Sequence, residues 1–459
     1  MVSYDLVLAA AAAALTSCTF GWTADGLEPT LCEPLGPQDA SPGHDPAVAP
    51  GDPRIVGSSV DTKGLQVDDT TRDGDGRATR EVPRSRPRLL ATPERLPELR
   101  ARLGTPDYKD LRARLRSEAL RDDDGVTADG QPDEEKASTM LSKAIVFELE
   151  GDPATGRSAV DMVLGYLGSI TATYADDGLF VSRAMNYHLM YAAVVYDWCY
   201  ELFTPDERAQ FVTEALRIAG NTEDGWPLPR DRMHFVNGHY TEEKHPMMLA
   251  LGIAIYDEDP SVYDLMAHHL FSGFAPVRNF YYQGHRHHQG SAYGPSRFSS
   301  EVFSALFSSV LDTPPAYVPE QGQVPYFALY NMMPHGYPLP EGDDYLHLFG
   351  PGRVDTLSIR ALARIHHDGY LQGFAAQYSP GGGLLDLFYA DPDLAALPID
   401  DLPLTRHFGS PFGTTIARTG WDLDGGVASH VAVARMHVKE YVFGNHDHLD
   451  AGHFSLYYK

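Results

Sequence analysis

Thr204-Pro-Asp-Glu-Arg-Ala-Gln-Phe-Val-Thr-Glu-Ala-Leu-Arg-Ile-Ala219 reads as a helix with its start signal in place. Thr204 and Glu207 have the spacing of a capping box. The hydroxyl accepts from the amide three residues on, and the carboxylate reaches back to the first amide. Working outward, helical spacing of apolar residues recurs over Lys136 to Leu149, Ala159 to Ile170 and Ala184 to Phe203. Further helices are expected across His245 to Ile255, Ser261 to Phe274, Ser300 to Leu311 and Val354 to His366. Upstream, Leu89-Leu-Ala-Thr-Pro-Glu94 holds another start: Thr92 suits the N-cap, Pro93 the first helical position and Glu94 the first turn. Leu96, Leu99 and Leu103 follow at helical spacing. Helices parted by Gly/Pro loops, with almost no alternating segments, predict an all-α domain over residues 86–403.

The pattern changes near Leu404. Thr414-Thr-Ile-Ala-Arg418, Val427 to Met436 and Phe454 to Tyr458 alternate apolar and polar residues and are rich in β-branched or aromatic types. Residues 404–459 therefore predict the start of a β domain, giving an α+β multidomain chain. A half-apolar final strand with no following partner leads to the expectation that the chain is truncated at its C-terminus.

The chain has 459 residues, 43% of them hydrophobic and 22% charged, which suits two or three globular domains. It has no apolar run long enough for a transmembrane helix. A formal net charge of −27 argues against general nucleic-acid binding, which needs a basic face. The same charge repels polyanions at long range, so an acidic ligand requires Arg, Lys and His to be concentrated in its cleft. Three cysteines, Cys18, Cys32 and Cys199, exclude a disulfide scaffold, and Cys199 in Tyr196-Asp-Trp-Cys-Tyr200 reads as a buried, inert thiol. Leu6 to Leu15 has the length of an export-signal core, and Leu15-Thr-Ser-Cys18 resembles a lipoprotein cleavage box, although Met1 to Asp5 has no Lys or Arg. Residues 1–18 are thus expected to be an export signal, with a lipid anchor at Cys18 and a secreted or periplasmic location. Residues 19–85, rich in Pro, Gly, Asp, Ser and Thr, read as a disordered linker. Its Asp73-Gly-Asp-Gly76 lacks the full ligand spacing of a calcium loop. Nothing in the sequence speaks to oligomeric state.

Three stretches carry residues suited to chemistry. In Asn237-Gly-His239-Tyr-Thr-Glu242-Glu-Lys-His245, His239 and Glu242 would share a helix face, a proton carrier beside a tunable carboxyl. A structural hydrogen-bonded pair is the alternative, and the spacing does not suit a zinc protease. In Gln289-Gly-Ser-Ala-Tyr293-Gly-Pro-Ser-Arg297, Tyr293 is a candidate for proton transfer and Arg297 would favour its phenolate. The alternative is a core tyrosine with a solvent-facing arginine. The preceding His285-Arg-His-His288 could bind a metal, but adjacent histidines usually point apart. In Phe443-Gly-Asn-His446-Asp-His448-Leu-Asp450-Ala-Gly-His453-Phe454, a strand would send His446 and His448 to one side, with the composition of a metal site.

Taken together, these segments resemble the heparinase II branch of the heparinase II/III-like polysaccharide lyases. The carriers are Arg86-Pro-Arg-Leu-Leu-Ala-Thr-Pro-Glu94, Asn186-Tyr-His188 through Trp198, Gly290-Ser-Ala-Tyr293 with Arg297, Thr405-Arg-His-Phe-Gly409 through Trp421, and Asn445-His-Asp-His-Leu-Asp-Ala-Gly452. The last is the most specific, and the resemblance covers about residues 86–459. It implies an incomplete (α/α) toroid followed by an antiparallel β-sandwich domain. It also implies β-elimination on a uronate-containing acidic polysaccharide such as heparin or heparan sulfate. Tyr293 would be base and acid for one C5 epimer, and His239 or His446 would take the proton for the other. Glu242 would help neutralise the uronate, Arg297 would support Tyr293, and Arg183 and Asn445 would touch substrate. His448 would be the first ligand of a structural zinc whose remaining ligands lie past Lys459, so the zinc site would be incomplete in this chain.

The chemistry accounts for these residue types. Removing the C5 proton places a second negative charge beside the carboxylate, which a protonated acid or a cation must meet. A base then takes that proton while an acid supplies one to O4 of the leaving sugar. A glycoside hydrolase on an α/α toroid and a non-catalytic polysaccharide-binding surface lipoprotein are the competing expectations.

Overall fold

Asp197, only 1% exposed, decides how the chain enters the fold. Its carboxylate accepts from Arg86 Nη1 at 2.8 Å and from the backbone amides of Arg88 and Leu89 at 2.5 and 2.8 Å. Trp198 Nε1 donates to the Leu89 carbonyl at 2.9 Å. Arg86 and Arg88 also reach Asp257, at 2.7 and 2.9 Å, and the carbonyls of Ala254 and Ile253. A carboxylate taken out of water must recover its hydrogen bonds, and here it recovers them from a strap of backbone. This computed structural model describes residues 82–228, 244–311, 315–342, 356–378, 382–423, 425–439 and 447–458.

After the strap, Pro93–Arg95 form a single 3-10 turn and α1 runs Leu96–Leu103. Thr92 has N-cap backbone geometry, but its side chain makes no capping bond and instead serves the Glu94 carboxylate. The helices that follow are α2 (Lys109–Ala119), α3 (Glu134–Glu150), α4 (Pro153–Ser169), α5 (Tyr174–Asp177), α6 (Leu179–Trp198) and α7 (Pro205–Gly220). The capping box of α7 is present in both directions. Asp133 and Asp152 cap α3 and α4. Next come α8 (His245–Ala254), α9 (Pro260–His268), a π turn (His269–Phe274), α10 (Ala275–Tyr282) and α11 (Gly290–Ser308). The last helices are α12 (Pro325–Asn331), α13 (Thr356–His366), α14 (Gly369–Tyr378) and α15 (Leu384–Tyr389). Every residue of α8 is buried, as expected of a helix apolar on all sides. It packs on α6, α9 and α11; α6 packs on α3, α11 on α13, α13 on α15, α15 on α1, and α1 on α3. Among the described residues no helix is long and apolar enough to cross a membrane.

Helix α11 starts ten residues earlier than Ser300, taking in Gly294-Pro295. An internal proline typically costs a helix about 3 kcal/mol. Burial of Arg297, Phe298, Ser299 and Ser300 immediately after it supplies tertiary packing that outweighs local propensity.

The C-terminal part is a four-stranded antiparallel sheet in the order β1 (Thr405–Phe408), β2 (Thr414–Arg418), β3 (Val433–His437) and β4 (Phe454–Tyr457). Strand β2 lies as expected. Strand β3 is shorter than the Val427-to-Met436 expectation because Gly426–Ala428 turn into a 3-10 helix. Ile416 pairs with Arg435, and Met436 with Phe454. One face buries Thr414, Ile416, Arg418, Val433, Arg435 and His437. Arg418 on that face donates to the carbonyls of Tyr330 and Met332 at 2.8 and 2.5 Å, which ties the sheet to α12. The other face leaves Met436, Phe454 and Leu456 exposed.

Replacing Asp197 by Ala would leave the strap's donors unmet and Arg86 without its buried counter-charge. A loss of about 3–5 kcal/mol is expected, read from urea unfolding followed by circular dichroism. A loss under ~1 kcal/mol would contradict the strap's role.

Candidate functional site

Two buried carboxylates organise the region where the helices meet the sheet. Glu341, 5% exposed, binds Arg286 and lies 3.5 Å from Arg435 Nη1 and 3.9 Å from His437 Nε2. Arg286 Nη1 also donates to Thr414 Oγ1 at 2.7 Å, and that hydroxyl sits 3.0 Å from His437 Nδ1. Arg435 continues to Asn331 Oδ1 at 2.8 Å and the Leu339 carbonyl at 3.0 Å. Glu301, on α11, binds Arg278 and the Tyr282 hydroxyl and lies 3.3 Å from His287 Nε2. Burial opposes ionisation of both acids most strongly, yet the facing cations outweigh it. Arg278, joined by His287 once acid has charged its ring, holds Glu301 at about 2, and Arg286 then Arg435 hold Glu341 at about 2.

A third link comes from the segment after β3. The Lys439 ammonium, 1% exposed, pairs with Asp447 at 2.5 Å and Asp450 at 2.6 Å. Burial pushes the Tyr281 phenol well up, Arg278 lowers it in part, and Glu301 and then Asp447 raise it further, so Tyr281 remains protonated. The Tyr281 ring lies 4.7 Å from that of His288, whose own ring stands 4.5 Å from His287 at 30°. The expectation that adjacent histidines point apart therefore holds only for His285. That residue takes a positive φ of 58° and feels burial, then Arg406. His287 and His288 lie side by side. Burial lowers His287, the nearby Glu301 carboxylate only partly offsets it, and Arg297 lowers it further. His287 is thus a neutral imidazole near neutral pH, a form that accepts a proton.

The proposed site residues fall as follows. Arg297 is buried, not solvent-facing, and lies close enough to act on His287. Tyr293 stands on α11 one turn before it. Asp447 to Asp450 lie in irregular backbone ahead of β4, not in a strand, and His448 is exposed there. Arg183 sits on a different helix, α6, with its guanidinium 5.9 Å from the Phe180 ring. His239, Glu242, Asn445 and His446, like Cys18, lie outside the described residues. Cys199 is fully buried and burial pushes its thiol well up, in line with an inert role. Among the described residues no three His, Cys, Asp or Glu side chains gather as a metal site. The acids near His448, Asp447 and Asp450, are engaged by Lys439.

Arg278, Tyr281, Glu301, Glu341 and Lys439 were not singled out from sequence. A signal existed for Glu301, an acid flanked by Phe298, Val302 and Phe303. No protein-family model matches this chain, and no curated protein sequence matches it significantly.

Acid should weaken this region in two stages of the same sign. His287 and His437 have folded values below their ordinary 6.5, chiefly through burial. Their contribution is intact above that value and declines as pH falls below it. Glu301 and Glu341 are depressed from an ordinary 4.5, so their contribution declines from there down toward about 2. Urea midpoints measured from pH 8 to 3 should fall below pH ~6.5 and again below ~4.5. The second fall should be shallower in Glu341→Gln, and a flat profile would contradict the assignment.

Proposed function

We propose that this chain is a polysaccharide lyase that cleaves a uronate-containing acidic polysaccharide, of the heparin or heparan sulfate kind, by β-elimination. One observation carries the reading. Asp447, in the segment that holds the most specific motif, is near enough for its charge to act on the Tyr281 phenol, and the Tyr281 ring packs 4.7 Å from that of His288, in the segment that leads into Tyr293 and Arg297. Those are the two stretches whose residues the lyase resemblance implicates. The packing order supports an incomplete (α/α) toroid: α3, α6, α8, α11, α13, α15 and α1 each touch the next, and α1 returns to α3. The exposed Met436, Phe454 and Leu456 form the kind of face that a second sheet of a β-sandwich covers.

Charge placement supports an acidic substrate in spite of the overall −27. Arg278, Arg286, Arg297, Arg435 and Lys439 gather with His287, His288 and His437 around four carboxylates, Glu301, Glu341, Asp447 and Asp450. The balance is near neutral, so the repulsive field of the whole chain is suppressed locally. In this reading Tyr293 takes the C5 proton and returns one to O4, with Arg297 favouring its phenolate. His239 or His446 serves the opposite epimer. Glu242, protonated, meets the charge that develops on the uronate carboxyl, and Arg183 and Asn445 hold the sugar. If a zinc is bound through His448, its contribution is structural.

Elimination leaves a C4–C5 double bond that absorbs in the ultraviolet. Absorbance followed over a panel of acidic polysaccharides should rise with at least one. Tyr293→Phe should lower kcat about 10²–10⁴-fold while the variant stays folded, and His446→Ala should impair at least one epimer. A flat trace with every polymer, or unchanged turnover in both variants, would contradict the proposal.

A further inference from the structure

At the C-terminal end of α11 lies a cavity of about 210 Å³ lined by Arg88, Arg95, Arg364, Phe307, Val310 and Tyr389, among others. Arg297 and Phe307 are ten residues apart, so at the helical rise the two places are separated by roughly 15 Å. Its walls come from the N-terminal strap, the end of α11 and α13, with Tyr389 from α15.

The local charge is unbalanced. Arg95, Arg102 and Arg364 share one carboxylate, Glu98, at 3.9, 2.5 and 3.6 Å. Arg86 and Arg88 are matched by Asp197 and Asp257, so the excess of positive charge lies around Glu98. The bland account is that these arginines close the end of α15. Arg95 donates to the Phe388 carbonyl at 2.5 Å, Arg102 to Ala390 at 2.7 Å and Arg364 to Ala390 at 3.2 Å. That account leaves over the Nε groups of Arg88 and Arg95, both buried and without a hydrogen-bond partner among the described residues. Arg88 is 2% exposed. Burial, followed by Arg86 for Arg88 and by Arg364 for Arg95, disfavours both charges, a penalty that an anion would relieve.

We infer that this cavity binds a small organic oxyanion, its charged group held by Arg88, Arg95 and Arg364 and its apolar body set against Phe307, Val310 and Tyr389. Guanidinium forks suit carboxylate and phosphate oxygens. A cavity of roughly 150 Å³ accommodates benzene, so the volume admits a ring with one anionic substituent.

Isothermal titration at constant ionic strength tests this with phenyl phosphate and inorganic phosphate as probes. Wild type should bind phenyl phosphate saturably and inorganic phosphate more weakly. Arg364→Gln, and separately Ser309→Trp, which narrows the cavity without touching a charge, should each weaken phenyl phosphate at least tenfold. Tyr293→Phe should bind it unchanged, which separates this cavity from the proposed lyase site. No heat above a chloride control, equal binding in both cavity variants, or loss in Tyr293→Phe would overturn the inference. Should Arg364→Gln fail to fold, Ser309→Trp decides alone.

Discussion

An ionised carboxylate sealed away from water is the constraint on which the rest of this structure depends. Glu341 can keep its charge only if cations reach it, and the ones that do come from opposite parts of the chain, Arg286 ahead of α11 and Arg435 on β3. Satisfying one acid therefore fixes the start of a long helix against the inner face of the sheet. The fit is tight enough to exclude a side chain at Gly290, where a Cβ would stand 2.3 Å from the Glu341 carbonyl oxygen and φ is +63°. Breaking such a pair from one side strands the other partner's charge.

From that junction the remaining groups follow in sequence. Arg278 and Glu301 neutralise one another behind His287, so the imidazole faces a settled electrostatic environment. Lys439 draws Asp447 and Asp450 toward the sheet, and Asp447 in turn acts on Tyr281. The result is a group of proton-carrying side chains, a neutral imidazole and a protonated phenol, held by buried ion pairs and not by loops alone. Positioning of this kind is what removing a weakly acidic carbon-bound proton requires.

Much of the helical part was legible in the sequence because its signals are local. The capping box at Thr204 and Glu207 and the alternation of Thr414 to Arg418 correspond to α7 and β2 almost residue for residue. The early start of α11 was not legible, since Gly294-Pro295 reads as a break and only burial on its far side overrides it. The buried ion pairs were illegible for a different reason. Arg286, Glu301, Glu341 and Arg435 are residue types normally found in water, and their partners are set by tertiary contact across 23 to 94 residues. Tyr293, Arg297 and the Asn445-to-Gly452 segment stood out because short motifs carry them. Tyr281 and Lys439 had no motif around them.

Whether the bond is broken by elimination or by water can be read from the product itself. Digesting an acidic polysaccharide in heavy-oxygen water and weighing the fragments tests the central claim most directly. The account predicts unsaturated fragments that carry no heavy oxygen. Saturated fragments with heavy oxygen at the new reducing end would contradict it.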